Sequence, residues 1–215
     1  MTVTTVFATA PGGEGDVDSS DVTYATARTS GSLVATANHS VGQEVFAGTF
    51  YCREAFILFD TSGIPDTDTV SGVVLSLDGT TNASTTDFTS TVAASSYNGG
   101  VTVTGDWVDG STLSGLTSLA TFGSAGYDAA YMAFTSAGAA FNSAINKTGN
   151  TSLIVFSSRH SAGTEPPNSE YITYTDADAA GTTEDPKLDI THAGAAALLS
   201  LPVNINQAVN RASTY

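Results

Sequence analysis

An antiparallel β-sandwich, built as one all-β domain, is the fold class this sequence predicts, and three observations lead to it. Thr, Ser, Ala, Gly and Val dominate, while Asp, Glu, Lys and Arg make up only 13% of residues, a composition that favours strands and turns over long helices. Short apolar runs recur between clusters of Gly, Asp, Ser and Pro, the spacing expected of many short strands joined by turns. The runs Phe50 to Asp60 and Leu153 to Phe156 are continuous rather than alternating, as in strands covered on both faces. With 215 residues and 41% hydrophobic content, the chain can bury one sizeable core.

The elements follow in order. Val3 to Ala8 reads as a first strand. Residues 11 to 21 (Pro-Gly-Gly-Glu-Gly-Asp-Val-Asp-Ser-Ser-Asp) read as a polar loop, because turn residues crowd it. Thr-rich residues near Val22 to Ala27 and the stretch Leu33 to Ala37 suggest two further strands. Phe50 to Asp60 is the central strand, stopped by Gly63-Ile64-Pro65. After a turn at Asp66 to Thr69, Val73, Leu75 and Leu77 alternate at period two and mark a strand with one buried face.

Phe88 to Ser96 and Val101 to Thr104 are shorter strands joined through Asn98-Gly99-Gly100, a hairpin signal. Trp107 lies in a Gly/Asp-rich loop as a lid over one end of the core, and residues 111 to 131 read as loop with at most one short strand. Between Ser136 and Lys147, Ala137, Ala140, Phe141, Ala144 and Ile145 repeat at helical spacing. Ser136 is the expected N-cap and Gly149 the stop, so one short helix over about 136–147 is predicted. Leu153 to Phe156, Tyr171 to Tyr174 and Lys187 to Ile190 complete the strands. The domain is expected to span 1–191, followed by a C-terminal arm, 192–215, whose only charged residue is Arg211.

Charge excludes more than it identifies. Six Lys and Arg against 21 Asp and Glu give a formal net charge of −15, which repels a phosphate backbone. Nucleic acid is therefore not an expected partner. No stretch reaches about 18 apolar residues, and the amino terminus lacks the basic region and apolar core of a secretory signal, so neither membrane insertion nor export is expected. The lone Cys52 reads as a buried structural thiol. The sequons at Asn38, Asn82, Asn146 and Asn150 are accidental products of a Ser/Thr-rich composition.

Taken together, Arg53-Glu-Ala-Phe-Ile-Leu-Phe-Asp-Thr-Ser-Gly-Ile-Pro, the strand Val70 to Leu77, the helix before Asn150-Thr-Ser-Leu-Ile-Val-Phe, and the closing Pro186-Lys-Leu-Asp-Ile-Thr resemble a DNRLRE-type domain over roughly residues 1 to 192. That resemblance implies a jelly-roll-like sandwich similar to carbohydrate-binding modules, found in secreted bacterial proteins and in virion proteins of tailed bacteriophages. The chain departs from the pattern around Trp107 and Tyr131 to Phe134, and in the separation of Ser158-Arg159 from Ser169-Glu170. Fold resemblance does not carry function with it.

Candidate chemistry is sparse. Asp16, Asp18 and Asp21, with Glu14, are candidate oxygen ligands for a structural Ca²⁺, set against a solvated acidic loop; Asp66/Asp68 and Asp176/Asp178 are weighed in the same way, since Asp-rich turns are common. No other cofactor is expected. His39, His160 and His192 are scattered and read as surface or sheet residues, without a zinc motif. Glu54 and Asp60 share one strand face about 20 Å apart, too far for a glycosidase pair, and no nucleophile elbow occurs; no enzyme is expected. Arg53 reads as a structural group tying a carboxylate across the sheet. Trp107 and Tyr131 are the candidate sugar-stacking residues.

The expected function is thus a non-enzymatic virion protein of a tailed phage, a head-decoration or tail/fibre module partnered by copies of itself and other virion proteins and assembled in the host cytoplasm. The alternative is a carbohydrate-binding or adhesion module at a cell surface, or secreted.

Overall fold

The computed structural model describes residues 1–9, 14–29, 31, 33–35, 39–99, 103–177 and 181–194. Thirteen strands and a few short helices form one curled, wholly antiparallel sheet system. The strands are β1 (Thr2–Phe7), β2 (Glu14–Asp21), β3 (Leu33–Ala35), β4 (His39–Phe46), β5 (Thr49–Asp60), β6 (Asp68–Asn82) and β7 (Thr89–Ala94), then β8 (Ala120–Gly123), β9 (Tyr131–Ala133), β10 (Thr135–Ser136), β11 (Asn150–Ser157), β12 (Glu170–Tyr174) and β13 (Lys187–Gly194). Four helical turns accompany them: α1 (Tyr24–Ala27), α2 (Gly110–Leu113), α3 (Ala139–Ala144) and α4 (Ser158–Ala162).

Strand β5 organises the molecule. Arg53 pairs with Asp18 of β2 on one edge and Gly42 of β4 on the other. Ala55, two residues on, pairs with Asp16 of β2 and with Val155 of β11. One edge of β5 thus hands over from β4 to β11, and there the sheet divides into two layers. One layer continues β4-β12-β6-β13-β1 and the other β11-β7-β8-β10. The chain from β9 to β10 spans both, because β9 pairs with β6 and β10 with β8.

The period-two and continuous apolar patterns have a direct physical outcome. Val73, Leu75 and Leu77 of β6 are buried with Ala55, Ile57, Phe59, Leu153 and Val155 in the main core. The other face of the same central strands, through Phe56, Leu58, Ile154 and Phe156, enters a second core with Val17, Tyr97 and Leu113. A fully buried Leu, Ile or Phe side chain contributes about 1.5–3 kcal/mol of transfer free energy, so two-faced burial makes β5 and β11 the centre of stability. The stop after β5 is built locally: Asp60 accepts from the backbone and hydroxyl of Ser62, Thr61 donates to the Asn146 and Gly149 carbonyls, and Ile64 is buried.

Several expectations change. The acidic stretch read as a loop over 11 to 21 is strand β2 from Glu14 onward, since its carboxylates face cationic side chains of neighbouring strands and not water. The strand expected at Val22 to Ala27 is the helical turn α1, and β4 was not anticipated. The helix expected over 136–147 is cut to 139–144: Ser136 pairs in β10, Gly138 at φ 63° is the N-cap, and Ile145 is extended. Lys147 is drawn away to the carbonyls of Asp66 and Asp68.

Val101 and Thr102 lie outside the described residues and Thr104 opens a three-ten turn. The segment read over 111 to 131 as loop with at most one short strand holds one short strand, β8, before β9 opens at Tyr131, and in addition most of α2, which was not expected. Strand β13 runs to Gly194, three residues past the expected boundary; the remainder of the arm lies outside the described residues. Among the described residues no helix is long and apolar enough to cross a membrane.

Candidate functional site

Among the described residues, several polar constellations and a cleft hold candidate chemistry. The first is a row along β2. Glu14, Asp16 and Asp18 alternate onto one face, which is how a strand presents i, i+2 and i+4. His39 Nδ1 lies 3.1 Å from Asp16 and its Nε2 3.0 Å from Glu14. Asp16 also accepts from the Ser40 amide, and Glu14 accepts from the Ala177 amide. Burial pushes the His39 imidazole down, but the hydrogen bonds and charges of Asp16 and Glu14 outweigh it and raise it to about 10, so His39 is a cation at neutral pH.

At the end of that row Arg53 lies 3.5 Å from Asp18, pairs with Glu44, and stacks over the Tyr171 ring at 4.1 Å. The expected cross-sheet tie is therefore present. The expected Ca²⁺ ligands are not drawn together: Asp16 serves His39, Asp18 faces Arg53, and Asp21 accepts from the amide and hydroxyl of Thr23 at the start of α1. Among the described residues no group of three His, Cys, Asp or Glu side chains is arranged to hold a metal ion. Asp178 lies outside the described residues.

The second constellation lies under the short helices, on the other face of β5. Glu54 accepts from the Val108 amide through Oε2, leaving Oε1 without a hydrogen-bond partner 3.8 Å from His160 Nδ1. Trp107 stacks 5.3 Å from the His160 ring, and its buried Nε1 has no hydrogen-bond partner. Arg28 of the α1 end donates to the carbonyls of His160 and Ser161. Gly110 is required where α2 crosses this layer: a Cβ there would meet His160 Nε2 at 2.8 Å and Arg28 Nε at 2.9 Å. Burial holds the Glu54 carboxyl well above its ordinary range and, with Arg28 adding to it, pushes His160 down to about 3. His160 is therefore neutral at neutral pH, and burial disfavours the charged form of Glu54.

The third is a relay between layers. Tyr24 donates to Gln43, Gln43 donates to Glu170 and to the Thr164 carbonyl, and Arg159 Nε donates to Glu170 at 2.6 Å. Cys52 lies among these groups fully buried, its thiol raised to about 12 by burial, the structural role expected of it. All three histidines are buried and none is a surface residue; His192 on β13 lies 2.7 Å from Asp68 and 2.9 Å from Thr4.

Trp107 and Tyr131 are not brought together. Trp107 packs against the second core and the Tyr24–Cys52 cluster, the lid position expected from sequence. Tyr131, on β9, donates to the Asp185 carbonyl at 2.6 Å and carries Lys187 4.2 Å above its ring. A cleft of about 320 Å³ opens elsewhere, between the ends of β7 and β11 and the end of α3. Asn98 was read as a turn residue and Asn146 and Asn150 as sequons, none as part of a binding site, because they come from separate segments and no spacing announces their convergence with Ser152. A scan against protein-family models finds no match, and a comparison with curated proteins finds none either.

Proposed function

We propose that this chain is a non-enzymatic structural protein of a tailed-bacteriophage virion, a β-sandwich module that decorates the head or stands in the tail or fibre and associates with copies of itself. The open edge of β1 carries the reading. Thr2–Phe7 pairs with β13 on one side and with no described strand on the other, apart from the single bridge from Ala8 to Phe59. It has no charged side chain and no proline. Natural β proteins blunt such edges unless something pairs with them. On a chain of net charge −15, an uncharged edge is also where two copies approach with least repulsion.

The placement of the titratable groups supports the non-enzymatic half. Glu54, His160, His39 and Glu170 are at most 2% exposed and are packed among residues of the fold. The resemblance of Arg53 to Pro65 and of the later segments to virion domains supplies the setting. Light scattering across a concentration series, with co-sedimentation on purified particles, tests it: self-association or particle binding is expected, and a monomer that ignores particles counts against it. The carbohydrate-binding alternative is favoured by one observation, the neutral polar lining of the cleft.

A further inference from the structure

We infer that the cleft between Tyr97 and Ser152 is a binding site for an uncharged saccharide. This deepens the carbohydrate reading and rests on the cleft alone, so its outcome is independent of the association experiment.

The walls are made of groups that hydrogen-bond without charge. Asn98 and Asn150 stand exposed at the rim, Asn146 joins them from the end of α3, and Ser152 lies on β11. Ser152 Oγ is buried and has no hydrogen-bond partner, although a buried hydroxyl ordinarily finds one. Asn146 directs Oδ1 to Thr148 and one amide hydrogen to the Asn150 carbonyl, so it fixes the rim. Tyr97 is held from behind by the Phe56 ring at 5.7 Å, and Leu58 gives the cleft an apolar floor. Hydroxyl and carboxamide groups around an apolar and aromatic surface match a sugar ring, which offers hydroxyls at its rim and C–H groups on its faces.

Charge selects among sugars. Among the described residues no Asp, Glu, Lys or Arg lines the cleft, in a chain whose net charge is −15. A uronic or sialic acid would meet repulsion with no cation to offset it, whereas a neutral sugar loses nothing. The volume falls at the lower end of small-ligand sites, about 300–1,000 Å³, which suits one or two rings of a glycan terminus rather than a long chain.

The test is a titration of the whole protein, followed by heteronuclear NMR, with glucose, galactose, mannose, N-acetylglucosamine and their disaccharides, and with glucuronic acid as the charged counterpart. Binding of at least one neutral sugar in the millimolar range is expected, with shifts at Asn98, Asn150 and Ser152. Asn150→Ala removes an exposed rim carboxamide and should weaken binding by roughly fivefold, about 1 kcal/mol, without lowering the melting temperature. The inference is overturned if no neutral sugar binds, if glucuronic acid binds as well, or if Asn150→Ala binds like the wild type.

Discussion

Glu54 Oε1 and His160 Nδ1 lie 3.8 Å apart, both side chains fully buried and neither atom hydrogen-bonded. Burial suppresses charge on each, so an acid and a base face each other without forming an ion pair. Desolvation outweighs their mutual attraction, as it commonly does for ionisable groups placed in an interior. The arrangement makes stability depend on pH through both groups, in opposite senses.

For Glu54 the folded-state value is raised above 4.5. Its contribution is therefore full below 4.5 and is lost as pH rises towards the folded value. Glu54→Gln keeps an acceptor for the Val108 amide and abolishes that loss. Thermal melts from pH 4 to 8 should show the variant gaining on the wild type as pH rises; a constant difference would refute the assignment.

For His160 the folded value is depressed from 6.5 to about 3. Stability from this group is present above 6.5 and lost as pH falls towards 3, where the unfolded chain takes up a proton that the folded one refuses. The wild type should lose stability relative to His160→Gln across that window. Trp107 is the single tryptophan of the chain and stacks on this ring, so its fluorescence should report loosening of the layer during the same acid titration.

His39 behaves in the opposite way. Raised from 6.5 to about 10, it contributes fully below 6.5, and the contribution disappears as pH climbs through about 10. His39→Leu leaves Glu14 and Asp16 buried without their cation and should cost about 3–5 kcal/mol at neutral pH. Urea denaturation checks this; a cost below about 1 kcal/mol would show that the two carboxylates find other partners.

Gly42 has φ 139°, and a Cβ there would sit 2.6 Å from the Tyr171 Cα, against the β12 backbone. Gly42→Ala should destabilise by about 2 kcal/mol or more. Gly63 has open space at its Cβ position and no positive φ, so Gly63→Ala should change stability far less, measured by the same denaturation.

Val3 is 62% exposed on β1. If copies associate through this edge, Val3→Lys should abolish association in light scattering while shifting stability by no more than about 0.5 kcal/mol. Retained association in a folded Val3→Lys variant would move the interface elsewhere.

Much of the architecture was legible. Phe50 to Asp60 and Leu153 to Phe156 were readable as two-faced strands because an uninterrupted apolar run has no polar side to give to water. Val73, Leu75 and Leu77 were readable because alternation at period two has one structural meaning. Strand β2 was not, since Glu14, Asp16 and Asp18 resemble a solvated turn until His39 and Arg53 are placed opposite them. The helix was overextended for a related reason: its apolar spacing runs from Ala137 to Ile145, but the pairing of Ser136 in β10 and Gly138 set the true start, and the extended Ile145 sets the end. Trp107 was readable as a lid, but not its stacking on His160.

The sequence by itself determined an all-β protein with a doubly buried central strand, a hard stop at Asp60 to Pro65, and a strongly acidic net charge. These follow from local periodicity, turn chemistry and net charge, which need no knowledge of distant partners. Only the tertiary structure decided that charge is disfavoured on Glu54, that His160 is neutral and His39 charged, and that Asn98, Asn146, Asn150 and Ser152 share one cleft. Ionisation and convergence depend on what the fold brings within a few ångströms from far along the chain, and no local pattern encodes that distance.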